Sequence, residues 1–427
     1  MILRFVHAAD IHLDSPLRGL ERYEGAPVEE LRAATRGAFE NLVELCIAEE
    51  VDFLLIAGDV FDGDWKDYNT GLFFAHQMSR LRVAGIRVFL IRGNHDAESQ
   101  ITKRLRLPDN VREFPTSRPE TIRIDDLKVA IHGQGFPKAA VTEDLSQSYP
   151  EPLAGYFNIG LLHTCADGRE GHERYAPCNI QALVAKGYDY WALGHVHRRE
   201  VLREHPYILF PGNIQGRHIR ETGEKGATLV TVALEDGKIR SEHRGLDVVR
   251  WSLCSVDVSG ADSPEEVFER VKVAIEEEFS HTTGQLLVLR LSLRGTSRLH
   301  AGFFRNEEWW INEFRAMATD VAPGKIWVEK VLFRTKGVYA REPTSARGDP
   351  LAEVVRYIEQ CREDESLWEG VRSTLSHLAR VLPPELRRAE EVLDFQDPTF
   401  RRQVLDNAEQ LLLSRLLEGE GGLNEDL

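Results

Sequence analysis

Short apolar runs alternate with helix-spaced apolar positions through the first 245 residues of the chain. Residues 4–9, 53–57 and 86–91 are almost continuous in Val, Ile, Leu, Phe and Ala, the pattern of strands buried on both faces. Between the first two runs, Leu31, Ala34, Phe39, Leu42, Val43 and Cys46 fall three and four apart on one helical face. Further strands are expected at 121–124, 128–132, 158–162, 188–193, 207–210, 226–234 and 238–244. This alternation predicts an α/β fold, a layered sandwich whose working loops leave the ends of buried strands.

A second pattern starts near residue 248. A strand over 248–258 leads to Ser263-Pro264-Glu265-Glu266, an N-cap with Pro at the first helical position and Glu at the third, opening a helix to about residue 279. A strand at 286–293, a helix over about 299–317 and a strand at 326–334 complete a small β-α-β-α-β domain. Residues 337–350 read as a linker. Beyond it lie three helical stripes: Leu351, Val354, Val355 and Ile358; Leu367, Val371, Leu375, Leu378 and Leu382; and Phe400, Val404, Ala408, Leu411 and Leu412. They either pack on one another or dock the helices of a partner. The expected division is 1–247, 248–340 and a helical tail over 345–427.

Composition narrows the class. With 427 residues, the chain is too long for one ordinary core. No apolar run reaches about 18 residues, so no transmembrane helix is expected. The N-terminus runs straight into a strand without the pattern of a secretion signal. The five cysteines are widely spaced and never form Cys-x-x-Cys, which suggests reduced thiols and a cytoplasmic protein. The net charge of −16 argues against wrapping nucleic acid non-specifically. Half of that excess, −8 from 11 basic and 19 acidic side chains, sits in residues 341–427. Bound divalent cations would bring the first 250 residues close to neutral.

Five short motifs supply the chemistry, each behind an expected strand: Asp10-x-His12, Gly58-Asp59-x-x-Asp62, Gly93-Asn94-His95-Asp96, His163 and Gly194-His195-x-His197. A mixed set of carboxylate, amide and imidazole donors suits divalent transition metals. Asp10, His12 and His197 are expected to hold one ion, and Asn94, His163 and His195 a second, with Asp59 as the bridge. Two such ions a few ångström apart lower the pKa of a water between them and aim it at phosphorus. His95 is expected to assist the leaving oxygen, with Asp96 orienting its ring and Asp62 supporting a ligand or the loop. His7, His76, His132 and His172 are expected at the surface or behind the ligands.

These motifs resemble the calcineurin-like metallophosphoesterase superfamily. Within it, Ala-Asp-Ile-His-Leu, Ala-Gly-Asp-Val-Phe-Asp, Arg-Gly-Asn-His-Asp and Leu-Gly-His-Val-His resemble SbcD-type DNA-repair nucleases. The stretch from His163-Thr-Cys-Ala-Asp-Gly through Tyr188-Asp-Tyr-Trp-Ala-Leu-Gly is similar to the YhaO branch. The resemblance implies a nuclease dependent on two Mn²⁺ ions and acting on DNA ends or single strands. It also implies a capping domain after the catalytic one and an SbcC- or YhaN-like coiled-coil ATPase partner, bound through the C-terminal helices; a homodimer is compatible with it.

Basic side chains behind the motifs give a second reason to expect DNA. Lys103, Arg104 and Arg106 follow the Asn94 loop, Arg198 and Arg199 follow His197, and Arg217, His218, Arg220 and Lys225 follow Pro211-Gly212-Asn213. Trp309 and Trp310 suit packing better than stacking on bases. Two other readings remain: a phosphomonoesterase, protein phosphatase or cyclic-nucleotide phosphodiesterase using the same ions, and a scaffold for the partner.

Overall fold

The structure is a computed structural model describing residues 1–15, 26–62, 68–98, 105–166, 176–338 and 350–364, with 369, 404–405, 408–409 and 412. Strand β1 (Ile2–Ala8) is followed by α1 (Val28–Ala48), β2 (Phe53–Ile56), α2 (Tyr68–Val83), β3 (Arg87–Leu90), the short α3 (Asn94–Glu98) and β4 (Val111–Glu113). Next come β5 (Glu120–Ile124), β6 (Val129–Gly133), β7 (Phe157–His163), α4 (Ile180–Ala185), β8 (Tyr190–Gly194), β9 (Glu200–Glu204) and β10 (Tyr207–Phe210). Two long strands, β11 (Gly226–Ala233) and β12 (Lys238–Gly245), precede the third sheet. That sheet comprises β13 (Val249–Asp257), α5 (Pro264–Ser280), β14 (Leu286–Ser297), α6 (His300–Arg305), α7 (Glu307–Val321) and β15 (Ile326–Gly337); α8 (Pro350–Glu363) follows.

Two six-stranded mixed sheets, β12-β11-β1-β2-β3-β4 and β5-β6-β7-β8-β10-β9, form the sandwich. Strand β1 shows why these residues make it. Its side chains alternate, so Leu3 and Phe5 enter the core between the sheets, while Val6 and Ala8 face the helices. Phe5 stacks on Phe53 at 5.1 Å and meets Tyr190 edge-on at 5.3 Å. Each such fully buried ring contributes roughly 1.5–3 kcal/mol by leaving water. On one outer face, Phe39, Leu42 and Val43 of α1 and Phe74 and Met78 of α2 cover Val6, Leu54 and Ile56. On the other, Trp191, Leu193, Ile208 and Phe210 pack with Leu183 of α4. Helix, sheet, sheet, helix is therefore the layer order.

Strands β1, β2 and β3 are mutually parallel, so their C-terminal ends come out side by side and carry the first three motifs. Parallel pairing of β7 with β8 does the same for His163 and the Gly194 loop. The short strands β4 and β9 were not anticipated; neither has the four or more apolar or alternating residues that mark a strand.

The chain divides into two compact units, one of residues 1–254, 274–291 and 315–330, the other of 255–273, 292–314 and 331–427. The small third sheet, β13-β14-β15, is parallel. Within the second unit Phe268, Phe303, Trp310 and Phe314 pack as rings; Trp310 is buried while Trp309 is exposed. The single helix expected over 299–317 is two, α6 and α7, separated at Asn306. Helix α8 falls where the first tail stripe was expected, and most of the other two stripes lies outside the described residues. All five cysteines are free, and no helix among the described residues is long and apolar enough to cross a membrane.

Candidate metal centre

The loops behind β1 and β2 run side by side and are tied by their backbones: Asp10 N donates to Gly58 O at 3.1 Å, and Ile11 N and His12 N both donate to Asp59 O, at 2.8 and 3.0 Å. To bring their side chains inward, Asp10, His12 and Asp59 take left-handed backbone conformations, with φ of 51°, 47° and 53°; His195 reaches 101°. Glycine makes the close approaches possible. A Cβ on Gly58 (φ 94°) would lie 2.5 Å from His163 Nδ1, and one on Gly93 would lie 2.2 Å from Asp59 Oδ1.

Three donor groups result among the described residues, Asp10/His12/His197, Asp59/His163/His195 and His12/Asp62/His95, each with its ligand atoms within 4.8 Å of one another; the first two match the two expected ion sites. In the first, His12 Nε2 stands 3.3 Å from His197 Nε2, and Asp10 Oδ1 lies 4.0 Å from the latter. In the second, His163 Nε2 stands 3.0 Å from Asn94 Oδ1 and 3.4 Å from Asp59 Oδ2. Asp59 Oδ2 also comes within 4.0 Å of His12 Nε2, so this one carboxylate faces both clusters.

The tautomers follow from the partners. Ala57 O can only accept, so His163 Nδ1 carries the proton it donates at 2.8 Å, and Nε2 is the nitrogen turned inward to ligate. Glu221 takes the Nδ1–H of His197 at 2.7 Å and sets the same orientation. Burial alone would raise the Glu221 pKa, but Arg217 and the His197 hydrogen bond hold it well below the usual carboxylate range. Burial would lower the His163 pKa, yet Asp59 and Asp10 raise it to about 9: without an ion the ring carries a second proton, on the Nε2 that faces Asp59 and Asn94, and a divalent cation would take that proton's place. The donor set fits transition metals. Buried His12 Nδ1, which finds no hydrogen-bond partner, lies 3.7 Å from Asp62 Oδ1 and turns Nε2 toward this centre.

His95 differs from these ligands. Its side chain is 40% exposed, against none for His12 and His163. Its Nδ1 sits 2.7 Å from Asp62 Oδ1. Asp62 also accepts from Ser15 Oγ at 2.5 Å. Burial would raise the Asp62 pKa, but the His12 ring 3.7 Å away and the His95 hydrogen bond hold it far below the usual range. The Asp96 carboxylate instead accepts from the backbone N–H groups of Val60, Phe61 and Gly93, at 3.2, 2.9 and 3.1 Å. The expectation that Asp96 orients His95 is therefore corrected: Asp62 holds the ring, and Asp96 pins the β2 loop to the β3 loop. Sequence adjacency misled because α3 starts at Asn94 and its turn carries Asp96 back against the chain.

The phosphate candidates also separate. Arg198, His218 and Arg220 are exposed. Lys103 and Arg104 lie outside the described residues. Arg217 is half-buried and engaged, its Nη2 3.1 Å from Glu221 Oε1 and its Nη1 3.7 Å from Asp62 Oδ2. Arg199 reaches Ser241 Oγ at 3.3 Å, and Lys225 Nζ donates to His197 O at 2.9 Å. His7 and His132 are buried rather than superficial. His7 bonds Tyr190 Oη and Leu193 O, and His132 stacks on Tyr188. His76 is exposed, and His172 lies outside the described residues. Sequence reasoning missed Glu221 altogether; its only signal was an acid within the basic run that follows Pro211-Gly212-Asn213.

A double-sheet sandwich with two His/Asp clusters at its parallel strand ends defines the class, and the comparisons agree. Residues 3–199 match the calcineurin-like phosphoesterase family, and the chain belongs to it. Residues 251–336 match the middle domain of the metallophosphoesterase YhaO. Among individual relatives, the metallophosphoesterase YhaO of Bacillus subtilis (strain 168) is 37% identical over 69% of this chain and 72% of its own. The DNA double-strand break repair protein Mre11 of Methanopyrus kandleri is 28% identical over 63% of this chain and 62% of its own. A subunit of the nuclease SbcCD from Rhodobacter capsulatus is 33% identical over 26% of this chain and 24% of its own.

Proposed function

We propose that the chain is a manganese-dependent DNA nuclease of DNA repair, cleaving phosphodiesters at DNA ends or in single strands. The observation that carries the reading is one half-buried imidazole, His95, held by Asp62 beside two donor clusters that both face Asp59. Bound there, two divalent ions would neutralise a phosphodiester and lower the pKa of the attacking water. Asp10, His12 and His197 would hold one ion; Asn94, His163 and His195 would hold the other; Asp59 would serve both. With Nδ1 on Asp62, His95 presents Nε2 to the substrate. Burial would lower the His95 pKa, but Asp62 and Asp59 raise it, which favours the charged ring. As water oxygen bonds to phosphorus and releases a proton to solvent, the P–O ester bond breaks, the His95 proton passes to the leaving oxygen, and the ring takes a proton back from solvent. Exposed Arg198, His218 and Arg220, with Lys103 and Arg104, would meet the flanking phosphates.

On this reading residues 1–247 form the nuclease domain, 248–340 a capping domain and 345–427 a tail that binds a coiled-coil ATPase, in the cytoplasm. The names of the Mre11 and SbcCD relatives support the DNA substrate and the role within a larger complex. The test incubates protein and manganese with labelled duplex DNA, single-stranded DNA and para-nitrophenyl phosphate, alongside His95→Ala. The variant is expected to lose about 10²–10⁴-fold in DNA cleavage while keeping its manganese. Monoester cleavage without DNA cleavage would make the chain a phosphomonoesterase. Deleting residues 345–427 should abolish co-purification with the ATPase; retained binding refutes the role of the tail.

A further inference from the structure

The loop between β10 and β11 carries a side-chain clamp that none of the five motifs contains. Glu221 is buried, and one of its oxygens accepts from His197 Nδ1 at 2.7 Å. The other accepts from Asn213 Nδ2 at 3.0 Å and from Arg217 N at 2.8 Å. The Arg217 guanidinium lies across this carboxylate and extends to Asp62, the residue that holds His95. One unbroken chain of polar contacts thus runs His197, Glu221, Arg217, Asp62, His95.

We propose that Glu221 and Arg217 are positioning residues that set the affinity of the first ion's site. Glu221 fixes the His197 ring with Nε2 turned toward His12 and Asp10. Arg217 braces that carboxylate, its backbone N 2.8 Å from Oε2 and its Nη2 3.1 Å from Oε1. Without the guanidinium, the carboxylate loses a side-chain brace and no longer fixes the imidazole with Nε2 facing the ion's site. In the second ion's site His163 is oriented instead by the Ala57 carbonyl. The inference rests on the two-metal reading but not on the identity of the substrate.

The test is manganese titration of the full chain by calorimetry, with spin coupling between paired ions followed by electron paramagnetic resonance. Wild type should bind two ions and show coupling. Glu221→Gln should weaken one ion by about 10–100-fold, leave the other unchanged and lose the coupled signal at limiting metal. Arg217→Met should show the same split, and Arg217→Lys should recover part of it. Melting temperature is read on every variant, because a merely structural role would lower it and weaken both ions together. Two ions bound by Glu221→Gln with wild-type affinities would overturn the proposal while leaving the nuclease reading intact. A wild type that binds no manganese would remove the metal reading and this proposal with it, whatever DNA cleavage shows.

Discussion

The two ion seats are built from different material. His163 is fully buried and is aimed by a backbone carbonyl at the end of β2, with Gly58 and Gly194 closed around it. His197 keeps 23% of its side chain exposed and is aimed by a carboxylate on a distant loop. A backbone partner cannot be mutated away and moves only if a strand end moves; a side-chain partner can be replaced or outcompeted. The second seat is thus fixed by the fold itself, and the first is adjustable. The first ion should accordingly exchange faster.

Asp59 is where the comparison is most exposed, since it faces both seats. Asp59→Asn should cost both ions and about 10³-fold or more in hydrolysis, the scale of several kcal/mol of lost charge stabilisation. Retention of one ion, measured by elemental analysis, would assign Asp59 to a single seat. Next in size is Asp62→Asn, which removes the holder of His95. We expect about 10²-fold lower turnover with both ions in place; a matching loss of metal would show that Asp62 serves the seats instead. Gly58→Ala tests the claim that backbone builds the second seat. Its Cβ would crowd His163 Nδ1 and Gly93 N at a left-handed φ. Stability should fall by about 1–3 kcal/mol, with preferential loss of the second ion, and unchanged calorimetric stoichiometry would contradict that claim.

The smallest effect concerns the floor beneath both seats, where His7 on β1 bonds Leu193 O on β8. Burial lowers its pKa from 6.5 to about 3. Between those values the unfolded chain binds the proton and the folded chain does not, so stability is lost as pH falls through this window. His7→Gln should flatten the acid limb of a melting-temperature profile; a curve that overlays wild type would mean His7 does not titrate on unfolding.

Much of this was legible beforehand because it is local. Strands β1, β2 and β3 are continuous apolar runs, and their motifs follow at once, so sandwich and ligand inventory came from one pattern. Partnerships across the chain were not legible. Nothing in Gly93-Asn94-His95-Asp96 tells that Asp62, rather than the adjacent acid, holds the imidazole. Glu221 lies 24 positions beyond His197, in a segment whose positive charges suggested surface. Arg217 was expected at a phosphate, and its sequence position gave no sign of the two carboxylates it reaches. The break at Asn306 escaped because helical periodicity alone does not register the end of one helix and the start of the next.

The left-handed residues Asp10, His12, Asp59 and His195 decide which replacements can be informative. Asn, Asp and His are the side chains best tolerated in that region after glycine. At these four positions the requirements of coordination and of backbone geometry select from nearly the same short list of amino acids. Asparagine exchanges there should change chemistry while sparing the fold. Valine or isoleucine at the same sites would unseat the loop first and report on folding alone, and a random library would lose such members before any ligand was tested.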